Sequence, residues 1–374
     1  MIENPLKLLD RAKRVTIKVG SSLLVDRAGG LRRDWLDGLT MDIAALRRQG
    51  SEVIVVSSGA IGLGRHRLGL PAGPLKLEEK QAAAASGQIA LAAAYDRALD
   101  AKGLHTAQLL LTIDDTEDRR RYLNARSTMG TLLRIGAVPV VNENDTVATT
   151  EIRFGDNDRL SARVAVMATC DLLVLLSDVD GLFASDPRQN PAAPFIAHVP
   201  QIDAEIEAMA GGVGSAVGTG GMATKIEAAR IATRSGCAVL LANGGYRQPL
   251  ARLREGHRCT LFEAGRDPSG ARKAWIAGSL AVNGVVHVDD GAARALKAGR
   301  SLLPAGVTGI EGAFERGDAV LVKAAHGEDL AKGLVAYDVG EARMIAGRRS
   351  EDIDLLLGYR RGNALIHRDD MVLL

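Results

Sequence analysis

Leu172-Leu-Val-Leu-Leu176 runs straight into Ser177-Asp-Val-Asp-Gly181. A continuously apolar run leaves no polar face, as in a central strand of a parallel sheet covered by helices on both sides. The polar and glycine residues that follow mark the carboxyl end of that strand, where open parallel sheets bind their ligands. The same pattern recurs outward along the chain. Val15-Thr-Ile-Lys-Val19 alternates apolar residues and ends at Gly20-Ser21-Ser22, and Val53-Ile-Val-Val56 ends at Ser57-Ser-Gly-Ala60. Val138-Pro-Val-Val141 runs into Asn142-Glu-Asn-Asp-Thr146, while 106–111 and 238–241 supply two more strands. Helical periods separate these strands over 31–49, 77–101, 119–134, 156–169 and 226–235. The alternation predicts an α/β fold with a mostly parallel sheet between helical layers. Its strand ends, at Gly20, Ser58, Asn142, Ser177 and Asn243, gather the chemistry on one edge.

Between two of these elements lies Gly214-Ser-Ala-Val-Gly-Thr-Gly-Gly-Met-Ala-Thr-Lys225. Glycine lets backbone N–H groups approach an anion closely, since no Cβ stands in the way. The helix that follows adds unpaired N–H groups and a partial positive charge at its start. Lys225 falls in or near its first turn, within reach of a phosphate. The spacing is neither that of a P-loop nor a G-x-G-x-x-G after a strand. A phosphate-binding loop of another nucleotide fold is the expectation.

The chain has 374 residues, enough for two to three domains, and its 47% hydrophobic and 25% charged composition predicts a packed core. A net charge of +2 gives no general case for nucleic acid or membrane binding. Cys170, Cys237 and Cys259 form no C-x-x-C pair and suit a reducing cytoplasm as small core residues. Residues 1–13 are charged and lack an apolar signal core. The Ala-rich segment 81–99 carries Ser86, Gln88, Asp96 and Arg97, which rules it out as a membrane span. The sequence therefore reads as soluble and cytoplasmic, with no membrane partner.

Beyond about Leu261 the character changes. Residues 266–272 read as a linker, followed by short strand candidates at 285–288, 319–322, 333–338 and 364–367. Helices are expected near 291–298 and 350–356. A small β-rich barrel of about 90 residues fits this stretch.

The chemistry these residues support is phosphoryl transfer. Mg²⁺ takes oxygen ligands and spans nucleotide phosphates, and lysines offset charge on the transferring group. Lys18 and Lys225 are the candidate cations; Asp156, Asp158 and Asp178 are candidates for positioning the metal or the lysines. Each aspartate alone reads equally as a helix cap or turn residue, and only their convergence at one sheet edge points to a site. The seven histidines are scattered, and none is spaced as H-E-x-x-H.

Taken together, Val15-Thr-Ile-Lys-Val-Gly-Ser-Ser22, Val56-Ser-Ser-Gly-Ala-Ile61, Val141-Asn-Glu-Asn-Asp-Thr-Val147 and Phe154-Gly-Asp-Asn-Asp-Arg-Leu160 resemble the glutamate 5-kinases. Leu176-Ser-Asp-Val-Asp-Gly-Leu182, Asp186-Pro-Arg188, Tyr122-Leu-Asn-Ala-Arg126 and Gly218-Thr-Gly-Gly-Met-Ala-Thr-Lys225 extend the resemblance through residues 14–245. Ser301-Leu-Leu-Pro304 and His367-Arg-Asp-Asp-Met371 resemble the PUA-containing tail of longer members. The resemblance implies an amino-acid kinase fold, a three-layer αβα sandwich with a mostly parallel sheet, plus a small C-terminal β-barrel-like PUA domain. The expected boundaries are 1–262 for the kinase domain, 263–279 for a linker and 280–374 for the PUA-like domain.

The implied activity is ATP-dependent phosphorylation of the γ-carboxylate of L-glutamate, with Mg²⁺, as the first step of proline synthesis. By motif position Lys18 and Lys225 would contact ATP phosphates. Ser177, Asp178, Thr219, Gly220, Gly221, Met222, Ala223, Thr224 and Lys225 would line the nucleotide site. Ser58, Asp145 and Asn157 would hold glutamate, and Lys18, Lys225 and Asp158 would form the catalytic set. Which aspartate ligates Mg²⁺ directly is left open. The resemblance also implies proline as a feedback inhibitor, a homo-oligomer (dimer or tetramer), and hand-over of the labile acyl phosphate to glutamyl phosphate reductase. Ser57, Ser177 and Ala223 are small departures from the family pattern that preserve size or hydroxyl character. The rivals are a sister kinase for N-acetylglutamate, aspartate or UMP, and an RNA-binding role for the tail. RNA binding needs a basic, aromatic-bearing face, and only 3% of residues are aromatic.

Overall fold

Eight strands form one sheet in the order β3-β4-β2-β1-β5-β9-β10-β8. They are β1 Arg14–Val19, β2 Glu52–Ser57, β3 Thr106–Leu111, β4 Val138–Glu143, β5 Leu172–Ser177, β8 His198–Val199, β9 Ala238–Asn243 and β10 Cys259–Phe262. A two-stranded ribbon of β6 Leu182–Phe183 and β7 Phe195–Ile196 stands apart from them. These are features of a computed structural model, which describes residues 5–26, 28–147, 156–210, 221–265, 270–271, 273, 276–277 and 282–374. Strands β3, β4, β2, β1, β5 and β9 pair in parallel throughout, as the buried apolar runs require. Within this sheet, among the described residues, β9 and β10 are the one antiparallel pair.

Side chains alternate across the strands, so each strand feeds two cores. On one face, Val15, Ile17, Val19, Val174 and Leu176 pack with Trp35, Leu39 and Ile43 of helix α3 (Arg33–Arg48) and Leu91 and Tyr95 of α5 (Leu77–Asp100). On the other, Ile54, Val56, Leu173, Leu175 and Leu241 pack with Leu160 and Val164 of α8 (Asp156–Met167). Ile226 and Ala229 of α10 (Met222–Arg234) and Met129 of α7 (Arg119–Arg134) complete that layer. The result is the three-layer αβα sandwich. Lys18 belongs to the face of β1 that looks toward α8, one pleat beyond Thr16, whose hydroxyl lies 3.2 Å from Cys170 Sγ.

Several shorter helices escaped the sequence pattern, and one of them borders the ligand edge. Ala60–Arg67, here α4, contains Gly62 and Gly64, which mask its period. Its glycines are explained by α5: a Cβ on Gly64 would stand 1.7 Å from the Ala83 carbonyl oxygen, and one on Gly87 1.8 Å from that of Ala60. The two helices therefore meet backbone to backbone. Gly87→Ala is expected to cost about 3 kcal/mol or more in denaturant unfolding, since rigid backbone must move. A loss below about 0.5 kcal/mol, the scatter of surface substitutions, would show that the crossing is soft.

Another strut joins α3 to the short helix α11 (Pro249–Arg254). Buried Asp42 accepts the N–H of Leu250 at 2.8 Å and of Ala251 at 3.3 Å, capping α11 from outside its own chain segment. Burial outweighs these bonds and the nearby Arg254 charge and pushes the carboxyl up to about 6. A raised folded-state value means stability that is full below the unfolded value and lost as pH rises through about 6. Relative to Asp42→Asn, the native protein should gain about 1 kcal/mol of unfolding free energy between pH 7 and pH 5. Parallel titrations of the two proteins would contradict this account.

The chain divides into two compact units, Met1–Pro268 and Ser269–Leu374. The second holds a five-stranded sheet in the order β12-β11-β13-β14-β15. Its strands are β11 Val282–Val288, β12 Val307–Gly312, β13 Ala319–Ala324, β14 Asp329–Val335 and β15 Ile366–Leu373. Its core is its own, built on Val286, Val320, Leu330, Tyr337, Ile353 and Ile366. Strand β14 starts four residues before the predicted 333, because the turn at Gly327 (φ +84°) sends the chain straight back along β13. The 266–272 linker expected from the sequence falls almost wholly outside the described residues. No described helix is long and apolar enough to cross a membrane.

Candidate active site

The carboxyl ends of β1, β2, β4 and β5 open onto one cavity of about 750 Å³. Each strand delivers its polar residues there by stopping at the same level of the sheet. After β2 the chain turns through Ser58 and Gly59, whose φ of +108° is a left-handed conformation, before entering α4. A side chain at Gly59 would be strained, and its Cβ would press on Val25 at 3.1 Å.

Charge is concentrated where α8 and α10 begin. Asp158, in the first turn of α8 and 1% exposed, holds two lysines. Its Oδ1 lies 2.6 Å from Lys18 Nζ, and its Oδ2 lies 3.4 Å from Lys225 Nζ. Thr224 Oγ1 also donates to Asp158 Oδ2 at 2.8 Å. Burial alone would raise the Asp158 pKa, but the Lys18 and Lys225 charges, with the Lys18 and Thr224 hydrogen bonds, hold it below the ordinary carboxylate value. An anion at a helix N-terminus is favoured by the helix dipole as well. Three elements far apart in sequence thus share one buried carboxylate.

Beside this charged group runs a chain of neutral hydrogen bonds. Asn157 Nδ2 donates to Ser58 Oγ at 2.9 Å, to Asn142 Oδ1 at 3.1 Å and to the Ser57 carbonyl at 3.4 Å. Asn142 Nδ2 donates to Gln88 Oε1 at 2.7 Å. Behind this wall Tyr95 donates its hydroxyl to Ser57 Oγ at 3.0 Å. Asp145 and Glu143 line the same space.

Of the residues singled out in the sequence, Lys18, Ser58, Asp145, Asn157, Asp158, Ser177, Asp178 and Lys225 all border this cavity. Ser177 Oγ donates to Asp178 Oδ1 at 3.1 Å. Gly221 stands at the N-cap of α10, followed by Met222, Ala223 and Thr224 in its first turn. Thr219, Gly220 and the preceding loop lie outside the described residues, as does the side chain of Asp156. Asn243, the remaining strand end, goes elsewhere: it donates to Asp180 at 2.8 Å and borders a separate cavity of about 370 Å³. Sequence reading missed Gln88, Lys80 and Arg65, which belong to α4 and α5 rather than to strand ends. Gln88 had stood out only as a polar break in an alanine-rich helix.

Residues 13–243 match the model of the amino acid kinase family, and residues 284–357 match the PUA domain. The chain belongs to the amino acid kinase family. Within it, this kinase is 58% identical to the glutamate 5-kinase of Paramagnetospirillum magneticum, over 98% of this chain and 99% of that protein. It is 55% identical to the glutamate 5-kinase of Rhizobium etli (strain CIAT 652), over 98% of this chain and 94% of that protein. These relatives place it in the glutamate 5-kinase branch of the family. A solved isopentenyl phosphate kinase from T. acidophilum is 17% identical, covers 67% of this chain and 100% of its own, and gives a TM-score of 0.47.

Proposed function

We propose that this kinase transfers the γ-phosphoryl group of ATP to the γ-carboxylate of L-glutamate. The observation that carries the reading is Asp158 clamped between Lys18 and Lys225, in one cavity with the Ser58–Asn157 wall. The naming of close relatives as glutamate 5-kinases supports the choice of acceptor.

The acceptor carboxylate is already ionised near pH 7, so no general base is required. One of its oxygens forms a bond to the γ-phosphorus as the bond to the bridging oxygen breaks and ADP leaves. The obstacle is repulsion between two anions, and Lys18 and Lys225 offset it where charge develops. Asp158 keeps both ammonium groups aimed at that point. The Gly221–Lys225 turn would take phosphates, with Ser177 and Asp178 on the nucleotide side. Ser58, Asp145 and Asn157 would hold glutamate. Mg²⁺ supplies further positive charge to the phosphates when bound with the nucleotide, and the Ser177 and Asp178 oxygens suit such a hard cation. The assignment includes proline as an inhibitor at a site overlapping that of glutamate, a homo-oligomer, and hand-over of the product to a reductase. The catalytic part is assigned to 1–262, joined through 263–279 to the 280–374 tail.

The test is ATP turnover with Mg²⁺ and L-glutamate, the acyl phosphate being trapped as hydroxamate, with and without proline. Glutamate-dependent hydroxamate is expected, reduced by proline. Product from aspartate or N-acetylglutamate instead would move the chain to a sister activity. Product that proline leaves unchanged would keep the kinase and remove the feedback.

A further inference from the structure

The antiparallel strand β10 brings a second set of side chains to the ligand edge of the sheet. Cys259 pairs with Ala242, so the turn from α11 into β10 lies beside the carboxyl end of β9. His257 and Arg258 from that turn, Asn243 from β9 and Asp180 from the loop after β5 border the cavity of about 370 Å³. Lys18, Asp158 and Lys225 border the larger cavity instead. Asn243 is held in one orientation: its Oδ1 accepts the Gly245 backbone N–H at 2.8 Å, and its Nδ2 donates to Asp180 Oδ1 at 2.8 Å. Asp180 Oδ2 is left without a partner among the described residues. Arg252 is answered at its own helix end by Glu255, at 2.7 Å. Arg258 is not: its guanidinium lies 5.5 Å over the Phe195 ring, with no ion pair or hydrogen bond among the described residues. His257 sits edge-on to Tyr246, 4.9 Å between ring centroids, and its ring nitrogens have no hydrogen bond among the described residues.

We propose that this cavity is an effector site for a free α-amino acid, separate from the cavity that takes the acceptor substrate. It offers one guanidinium with spare donors, one imidazole, and one carboxylate with a spare acceptor oxygen. The ligand carboxylate lies against Arg258, whose planar fork of donors matches it, with His257 beside it. The ligand ammonium, with three donors and no acceptor, is the complement of Asp180 Oδ2. A polyanion such as a nucleotide is disfavoured, since Asp180 and Glu255 both border the space. Tyr246, Pro249 and Leu253 leave apolar surface for the ligand side chain. The effector role rests on the kinase reading given above. Asp180 follows Ser177 and Asp178, which border the larger cavity on the nucleotide side. The far end of this short loop is pinned at Gly181, where a Cβ would lie 2.5 Å from Thr260 Oγ1. A ligand ammonium drawing on Asp180 therefore acts on Ser177 and Asp178.

Thermal shifts of the full chain with the common L-amino acids, without nucleotide, test the site independently of turnover. At least one of them should raise the native melting temperature and bind about tenfold or more weakly to both Arg258→Leu and Asp180→Asn. Arg258 is exposed, so its variant keeps the unliganded melting temperature. Asp180→Asn can still accept from Asn243, so the loop keeps its tie. The deaminated acid and the decarboxylated amine of the same compound should each bind about tenfold or more weakly as well. Identical shifts across all the amino acids in the native protein and both variants would overturn the site. A deaminated acid or inorganic phosphate that binds as tightly as the amino acid would also overturn it, marking a simple anion site. With the site filled, the KM for ATP should change by about twofold or more in the native enzyme and stay constant in Arg258→Leu. An unchanged KM would remove the effector role. Absence of glutamate-dependent turnover in the native enzyme would instead remove the kinase reading and leave the binding result standing.

Discussion

Lys18→Met will lower kcat by about 10³-fold while the protein stays folded, a loss of about 4 kcal/mol of transition-state stabilisation. The side chain is almost the same length, so the substitution removes a charge and leaves the packing. Asp158 keeps its contact with Lys225 at 3.4 Å and its hydrogen bond from Thr224 at 2.8 Å, so no carboxylate is orphaned. The melting temperature should therefore move little. The loss belongs in kcat more than in either KM, since the anions repel most strongly as the new bond forms. Hydroxamate turnover within about tenfold of native would take Lys18 out of the chemistry.

Asp158→Asn should fail differently. The amide keeps the shape and can still accept from Thr224, but it removes the counter-charge 2.6 Å from buried Lys18, whose side chain is 8% exposed, and one ionic contact of Lys225. Breaking a buried pair from one side costs about 3–5 kcal/mol, which lowers the melting temperature of a unit this size by roughly 10 °C. Activity falls as well, because the lysines lose their aim. Added ATP should recover part of the stability by placing phosphate charge beside Lys18. The pH dependence carries a second signature. Because the Asp158 carboxyl is held below its ordinary range, its contribution is present above the unfolded value and is lost as pH falls through the folded one. The gap between native and variant should thus persist at neutral pH and narrow in strong acid. A variant as stable as the native protein at pH 7 would mean that the lysines are solvated rather than clamped.

The parallel sheet was legible because a fully buried strand such as 172–177 has no choice of face, and its polar terminus names the ligand edge. The charged half of the site was legible for the same reason: Lys18 follows from its strand, and Asp158 and Lys225 from helix starts. In the neutral half, Ser58 and Asn142 were legible as strand ends and Asn157 through the family resemblance, but Gln88 was not. Gln88 lies in the middle of a 24-residue helix, and its importance comes from a glycine crossing with α4 that no periodicity reports. Helix α4 itself was hidden by those glycines, which lower helix propensity where close approach is needed. Strand β10 was missed because it runs against the parallel pattern at the sheet's far side. Asn243 shows the opposite error, a strand end at the right edge whose side chain turns to Asp180 and away from the main cavity.

The crossing of α4 and α5 on Gly64 and Gly87 also bears on the thermodynamics of recognition. Helices in backbone contact have no side chains between them to repack, so Ser58 and Gln88 are held at a set separation before any substrate is present. Little conformational entropy remains to be lost there on binding, which is the advantage of preorganisation. Calorimetry of glutamate binding should accordingly show a small heat-capacity change, set by the desolvated surface alone, without the larger change that coupled folding brings.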